Sequence, residues 1–267
     1  MVESYETLKV SRIGAVEYLS FNRPQRKNAV SAKMTQELLH YWGERQADDS
    51  TRLIVLSGED GHFNPGLDLK EPLPVLDGTA AQAMRFMRDY GEIVLRMRRC
   101  PQPIIARLEG IAVGGGLAMA LACDIRIAAD SVRLSAAFVR LGLSGTEMGV
   151  SYLLPRLVGA AVASDLCLTG RIVAAPEALA LGLVHRVCSD AELDGEIARY
   201  VDMILANDPF AIRLTKEALN ASLSVGSLDA AIAMENRNQS LAFCGGAPRE
   251  GVRAFLEQHS RPTRQTE

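Results

Sequence analysis

The sequence predicts an α/β protein, with a β/α core over residues 1–190 followed by a helical region over residues 191–267. Three observations carry this reading. Short apolar runs of strand length alternate with longer amphipathic runs as far as residue 187, and beyond it the apolar strands cease. Three consecutive glycines, 114–116, separate one such strand from an apolar helical run.

Taken in order, alternation over 7–10 and 15–21 predicts two strands joined by a turn at 11–14, and Asn22-Arg23-Pro24 ends the second. A helix follows from Ser31, whose hydroxyl is placed to cap it, with Met34, Leu38, Leu39 and Trp42 at helical spacing. Residues 53–57 form a short buried strand. The helix near 80–99 carries Met84, Met87, Ile93, Leu95 and Met97 among many arginines, and Pro101 and Pro103 stop it. A strand at 104–107 leads into the glycine-rich turn, a helix at 117–123 and a strand at 125–128. After a last strand at 184–187, helices are predicted over 191–207, 209–223, 227–243 and 248–258, with an apolar face that another subunit is a candidate to cover.

The charge balance of 29 basic against 32 acidic residues, with both signs interspersed, gives no footprint for nucleic acid and no basic patch for a membrane surface. The most apolar window, 111–129, is interrupted by Asp124, Arg126 and glycines, so no membrane span is expected. The five cysteines are odd in number and widely spaced, which predicts reduced core residues in a cytoplasmic protein. The N-terminus has no apolar run of the secretory kind. The four histidines form no metal-ligand spacing with cysteine or carboxylate, so no metal is expected.

GIAVGGGLAMALACDI (110–125) and the earlier loop FNPGLDL (63–69) are two glycine-bearing turns, each able to aim a bare main-chain N–H at a shared spot. At the start of a helix such amides favour developing negative charge, and a buried donor aimed at an oxyanion is worth about 3 kcal/mol to a transition state. The glycines equally permit close packing of a buried helix on a sheet.

In this order the two loops resemble the crotonase, or enoyl-CoA hydratase/isomerase, superfamily. NRPQRKNAV (22–30), GHFNPGLDL (61–69), GIAVGGGLAMALACDIRIAA (110–129), LLPRLVG (153–159), LTGRIVAAPEALALGLVHRV (168–187) and DPFAIRLTKEAL (208–219) carry the match over nearly the whole chain. The resemblance implies a crotonase-like spiral of ββα turns with a C-terminal helical region, assembly as a homotrimer or a hexamer of two trimers, and an acyl-CoA substrate. It implies no separate cofactor, CoA being part of the substrate. Carried over by position, it gives the thioester oxygen to the amides of Leu67 and Gly115. Leu67, Asp68, Leu69 and Lys70 then border the CoA, with Arg26 and Lys27 near its phosphates or adenine. Each of these basic residues reads equally well as ordinary solvated charge.

One departure bears on the reaction. Hydratases of the superfamily place two glutamates in the site, and the aligned positions here are Ala118 and Phe138, neither able to move a proton. Glu147, eight residues before Pro155, resembles in placement the acidic residue of dienoyl-CoA isomerases and is the candidate acid/base. Its apolar neighbours Leu143, Met148 and Val150 predict a raised pKa, and its other reading is a first-turn acid of the helix beginning near Gly149. His62 ranks lower as a site residue, and Ser144 lacks a nucleophile-elbow context. Phe138 and Leu67 predict an apolar pocket wall. The expected function is proton transfer on an enoyl- or dienoyl-CoA. The alternatives are an acyl-CoA binding protein without hydratase activity and a hydrolase of a ring or C–C bond in a CoA thioester.

Overall fold

The computed structural model describes residues 5–72, 78–244 and 247–259. It divides into two compact units, Met1–Ile204 and Leu205–Glu267.

The first unit opens with the hairpin of β1 (Leu8–Ile13) and β2 (Val16–Phe21), antiparallel, with Ile13 opposite Val16. The turn is therefore two residues, Gly14-Ala15, rather than the expected 11–14: Gly14 at φ 60° supplies the left-handed conformation a tight turn requires, and Ser11 to Ile13 stay in the ladder. Ser31 caps α1 (Ala32–Arg45) by accepting a hydrogen bond from the Met34 amide at 3.0 Å. β3 (Leu53–Gly58) follows, and then α2 (Ala80–Arg99), capped by Thr79 and Gln82 in a reciprocal box. β4 (Ile104–Leu108), β5 (Ile111–Val113), α3 (Gly115–Ala122), β6 (Ile125–Ala129) and β7 (Arg133–Ser135) complete the middle of the unit.

Next come α4 (Val150–Val158), α5 (Ala160–Thr169), β8 (Val173–Ala174), α6 (Ala175–Ala180), β9 (Arg186–Cys188) and α7 (Leu193–Leu205). The last strand thus lies two residues beyond the start expected for it. α7 is preceded by a single 3-10 turn whose box is Ser189 and Glu192.

Two sheets result. The larger runs β1-β2-β3-β4-β6-β9, parallel from β2 onward; the smaller runs β5-β7-β8. The smaller sheet escapes sequence reading because its strands are two or three residues long, too short to show a period. The core lies where Leu19, Phe21, Ile54, Leu56 and Ala106 of the larger sheet meet Met34, Leu38 and Trp42 of α1, Ile93 and Met97 of α2 and the whole of α3. Among the described residues no helix is long and apolar enough to cross a membrane.

The second unit contains α8 (Pro209–Ser222), α9 (Leu228–Cys244) and α10 (Ala247–His259). Asp208 caps α8 through the Ala211 amide at 2.9 Å, with Pro209 at the first helical position. Asn238 of α9 donates to Leu214 O at 3.1 Å, and Arg237 pairs with Glu217. Phe210, Leu219, Ile232, Leu241 and Phe243 of this unit are exposed.

All five cysteines are free, but only Cys100 and Cys123 are core residues. Cys244 is exposed at the end of α9, a correction to its expected burial: it ends a helix on which Leu241 and Phe243 are exposed as well.

Candidate active site

The first loop is held by Asn64, which is wholly buried. Its main chain pairs with β5 on both sides, Asn64 N to Ile111 O at 2.8 Å and Val113 N to Asn64 O at 3.0 Å. Its side chain accepts from Gly66 N at 2.8 Å and donates to Asn28 O at 2.6 Å. Asn28 ties the NRPQRKNAV segment to the same loop by donating to Glu59 O at 2.7 Å and His62 O at 2.6 Å. Val30 then brackets the turn, its N–H on Gly66 O at 2.8 Å and its carbonyl accepting from Asp68 N at 2.9 Å. Between these bonds the Leu67 N–H has no acceptor among the described residues.

The second loop meets the first at Gly66, where a Cβ would stand 3.0 Å from Val113 O and 3.1 Å from Gly115 N. Gly114, at φ 55° and ψ −121°, takes a backbone shape that a side chain would strain, and from it α3 springs. The helix begins at Gly115, two residues earlier than expected. The glycines are its first turn rather than a break before it, because the Asn64 carbonyl and the Tyr90 hydroxyl crowd the space where side chains of Gly116 and Gly115 would stand. Like Leu67, Gly115 has no acceptor for its N–H among the described residues, as the first position of a helix dictates. The opposite end of α3 is neutralised from inside: the buried Arg126 guanidinium donates to Cys123 O at 2.6 Å and Leu183 O at 2.8 Å. The positive end of the helix is left for the site.

Both amide-bearing residues line one cavity of about 470 Å³ within the first unit. Leu69, Tyr90, Phe138 and Glu147 line it with them. Its wall is mainly apolar, as Phe138 and Leu67 led one to expect, and Phe138 packs over Gly114, whose Cβ would stand 3.6 Å from Phe138 Cε1.

Glu147 is half-buried, and its carboxylate has no hydrogen-bond or ion-pair partner among the described residues. Burial alone raises its pKa above the usual carboxylate value. It does not cap α4, whose N-cap is Gly149 with no side-chain bond. Instead two successive left-handed residues, Met148 at φ 49° and Gly149 at φ 83°, turn the chain sharply after it. A methionine held in that region is strained by its Cβ, and the buried Met148 side chain keeps it there.

The remaining residues expected to bind substrate, Arg26, Lys27, Asp68 and Lys70, stand off the cavity wall. Asp68 is buried and engaged internally: Arg26 grips both its oxygens at 3.0 and 3.1 Å, Arg23 reaches it at 3.0 Å, and the Lys70 amide donates at 3.1 Å. Burial raises the Asp68 pKa, but the Lys70 amide and the Arg26 and Arg23 guanidinium groups outweigh it, leaving the carboxyl below its ordinary range. Lys27 and Lys70 are exposed and make no ion pair among the described residues. Ala118 is sealed within α3, and His62 is off the cavity wall.

Tyr90 is the site residue that sequence reading passed over. It shares the inward stripe of α2 with Ile93, Val94 and Met97, which made it look like plain core. The only signal was a hydroxyl on a stripe otherwise apolar.

Comparison with known proteins identifies the family. The enoyl-CoA hydratase/isomerase family model matches residues 12–265. A Mycobacterium tuberculosis protein named probable enoyl-CoA hydratase EchA12 is 37% identical over 229 residues, 84% of this chain and 80% of the relative. The 1,2-epoxyphenylacetyl-CoA isomerase of Escherichia coli is 35% identical over 244 residues, 91% of this chain and 92% of the relative. The crystal structure of enoyl-CoA hydratase from Bacillus anthracis superposes with a TM-score of 0.88 at 31% identity, covering 95% of this chain and 97% of that one. The match spans both loops, the helix between them and the cavity they enclose, and the chain belongs to the enoyl-CoA hydratase/isomerase family, as an acyl-CoA-processing enzyme of the crotonase type.

Proposed function

We propose that the protein transfers a proton on an enoyl- or dienoyl-CoA, with the amides of Leu67 and Gly115 as an oxyanion hole and Glu147 as acid/base. One observation carries the reading: two main-chain donors without acceptors and one carboxylate without a partner, among the described residues, belong to residues that line the same apolar cavity. A thioester oxygen held by the two amides draws charge from the carbonyl, so the α-proton becomes acidic and an enolate is stabilised as it forms. Glu147, half-buried and so less acidic than usual, takes that proton and returns it at another carbon. The thioester brings its own CoA, and the chemistry asks for no further cofactor.

With Phe138 on the cavity wall and Ala118 sealed in α3, the second carboxylate of a two-glutamate hydration has no counterpart at those positions. This favours a proton shift, or hydration by a single acid, over the two-carboxylate route. The CoA itself is assigned to the neighbourhood of the first loop, where Lys27 and Lys70 are exposed and make no ion pair among the described residues, Arg26 being taken up by Asp68. The exposed apolar side chains of the second unit support a homotrimer or a hexamer of two trimers, and the five free cysteines suit a cytoplasmic location.

The deciding experiment is incubation of enoyl- and dienoyl-CoA thioesters in deuterium oxide, read by mass spectrometry. Deuterium at the α- or γ-carbon that requires Glu147 supports the reading. Tight binding with neither exchange nor turnover on a broad thioester panel overturns it in favour of an acyl-CoA binding protein.

A further inference from the structure

A charged side chain on the wall of an apolar cavity points to a ligand when the protein itself has not met the charge. Arg140 is such a residue. It lines the cavity that Leu67, Gly115 and Glu147 share, and its guanidinium makes no hydrogen bond or ion pair among the described residues. Arg140 is also exposed, as are Leu69, Met87, Leu141 and Leu143 of the same wall, so these residues mark the side on which the cavity opens to solvent. The opening is thus bordered by apolar side chains and one guanidinium.

The stem of Arg140 is seated by packing. Gly170, the left-handed C-cap of α5 at φ 60°, leaves room for it: a Cβ on Gly170 would stand 2.8 Å from Arg140 Cγ and 3.1 Å from Cδ. The apolar stem lies on that glycine while the charged head stays wet. Arg140 comes from the 3-10 turn Ala137–Leu141, which also supplies Phe138 and from which the chain runs on to Glu147. It therefore belongs to the acid-bearing segment and not to the first loop, beside which the CoA is assigned. Arg140 and Glu147 are the charged residues among the described ones on the cavity wall, and burial alone raises the Glu147 pKa, so the guanidinium is not close enough to lower it. An anion held by Arg140 is accordingly not set against the Glu147 carboxylate.

Resting on the proposed function, we infer that Arg140 receives a carboxylate carried at the far end of the acyl group, so that the substrate class is the CoA monothioester of a dicarboxylic acid rather than a plain fatty acyl-CoA. The apolar wall takes the carbon chain, and the planar guanidinium meets the carboxylate with paired N–H donors. A carboxylate brought to this rim without a cation would lose hydration with nothing in return, which is what makes Arg140 selective. The guanidinium makes and breaks no bond; it holds the far end of the chain while Glu147 moves the proton.

Binding of adipyl-CoA and suberyl-CoA against hexanoyl-CoA and octanoyl-CoA, their counterparts of equal carbon number, measured by calorimetry on the wild type and on Arg140→Gln, tests this. The wild type is expected to bind at least one dicarboxylic thioester about 5- to 10-fold more tightly than its plain counterpart, between the worth of an exposed ion pair and that of a buried charge-assisted hydrogen bond. Arg140→Gln is expected to erase that preference while leaving the plain thioesters within about 2-fold, because the residue is exposed and glutamine keeps the part of the stem that lies on Gly170. No preference in the wild type overturns the inference and leaves the acyl-CoA reading standing. A preference that survives in Arg140→Gln overturns it too, and so does an equal loss for every thioester, since that marks a contact to a CoA phosphate. If none of the thioesters binds the wild type, the proposed function falls and the inference with it.

Discussion

The hydroxyl of Tyr90 occupies the space in which a side chain on residue 115 would stand. A residue of α2, distant in sequence, thus decides that position 115 in the first turn of α3 must be glycine. It also joins the acid-bearing turn, the second loop and α2 at one wall of the cavity.

Substituting Gly115→Ala should therefore be severe for a steric reason rather than a torsional one, since Gly115 is not among the residues with positive φ. The α3 amide is expected to shift by enough to lower kcat about 100-fold, the range seen when one oxyanion donor is lost. A double-mutant cycle checks the cause. Introduced into Tyr90→Ala, the same change should cost less than it does alone, and additivity would exclude the contact as the origin.

Glu147→Gln should lower kcat by about 100- to 10,000-fold with acyl-CoA affinity nearly unchanged. The same variant has a stability signature. Because burial raises the folded pKa above the unfolded value, the folded state holds the proton more tightly between the two, so wild-type stability falls as pH rises through that window. The glutamine variant is spared that loss. Its melting temperature should exceed that of the wild type at neutral pH, by up to about 3 °C, with the gap closing in acid.

Asp68→Asn removes the anion that Arg23 and Arg26 share, and a loss of about 2 to 3 kcal/mol is expected because two guanidinium groups lose a buried partner. With the folded pKa of Asp68 depressed, its contribution is present above the unfolded value and fades as pH falls through the folded one. Urea titrations should show wild type and variant converging at low pH. A difference that persists there would assign the loss to packing instead.

Asn64→Ala leaves the Gly66 amide and the Asn28 carbonyl unpaired in a buried loop. A cost of about 2 to 4 kcal/mol is expected. The turn carrying the Leu67 N–H should loosen, so kcat should fall more than KM rises. Hydrogen exchange at Leu67 and Asp68 checks it: faster exchange confined to that loop is the expected pattern, and global acceleration would point to general destabilisation.

Much of the frame was readable from local signals. The Ser31 cap, the helix ended before Pro101 and the strand at 53–57 each follow from spacing within one segment, and each stands in the structure within a residue or two. The two glycine loops were readable as a pair because order along the chain is itself sequence information. The three-stranded sheet was not, nor the internal grip of Arg23 and Arg26 on Asp68, which reads as free charge until residues more than forty positions apart are brought together.

Residue pattern alone determined the α/β core, the helical C-terminal region, the family and the segment bearing the acid, because periodicity, caps and motif order are properties of neighbours along the chain. Only the tertiary structure decided that, among the described residues, the amides of Leu67 and Gly115 are left without acceptors, that Glu147 is half-buried without a partner and that Tyr90, on the wall of the same cavity, buries an unpartnered hydroxyl. Desolvation and unmet hydrogen bonds are set by what fills the surrounding volume, and that volume is filled by segments the chain brings from far apart.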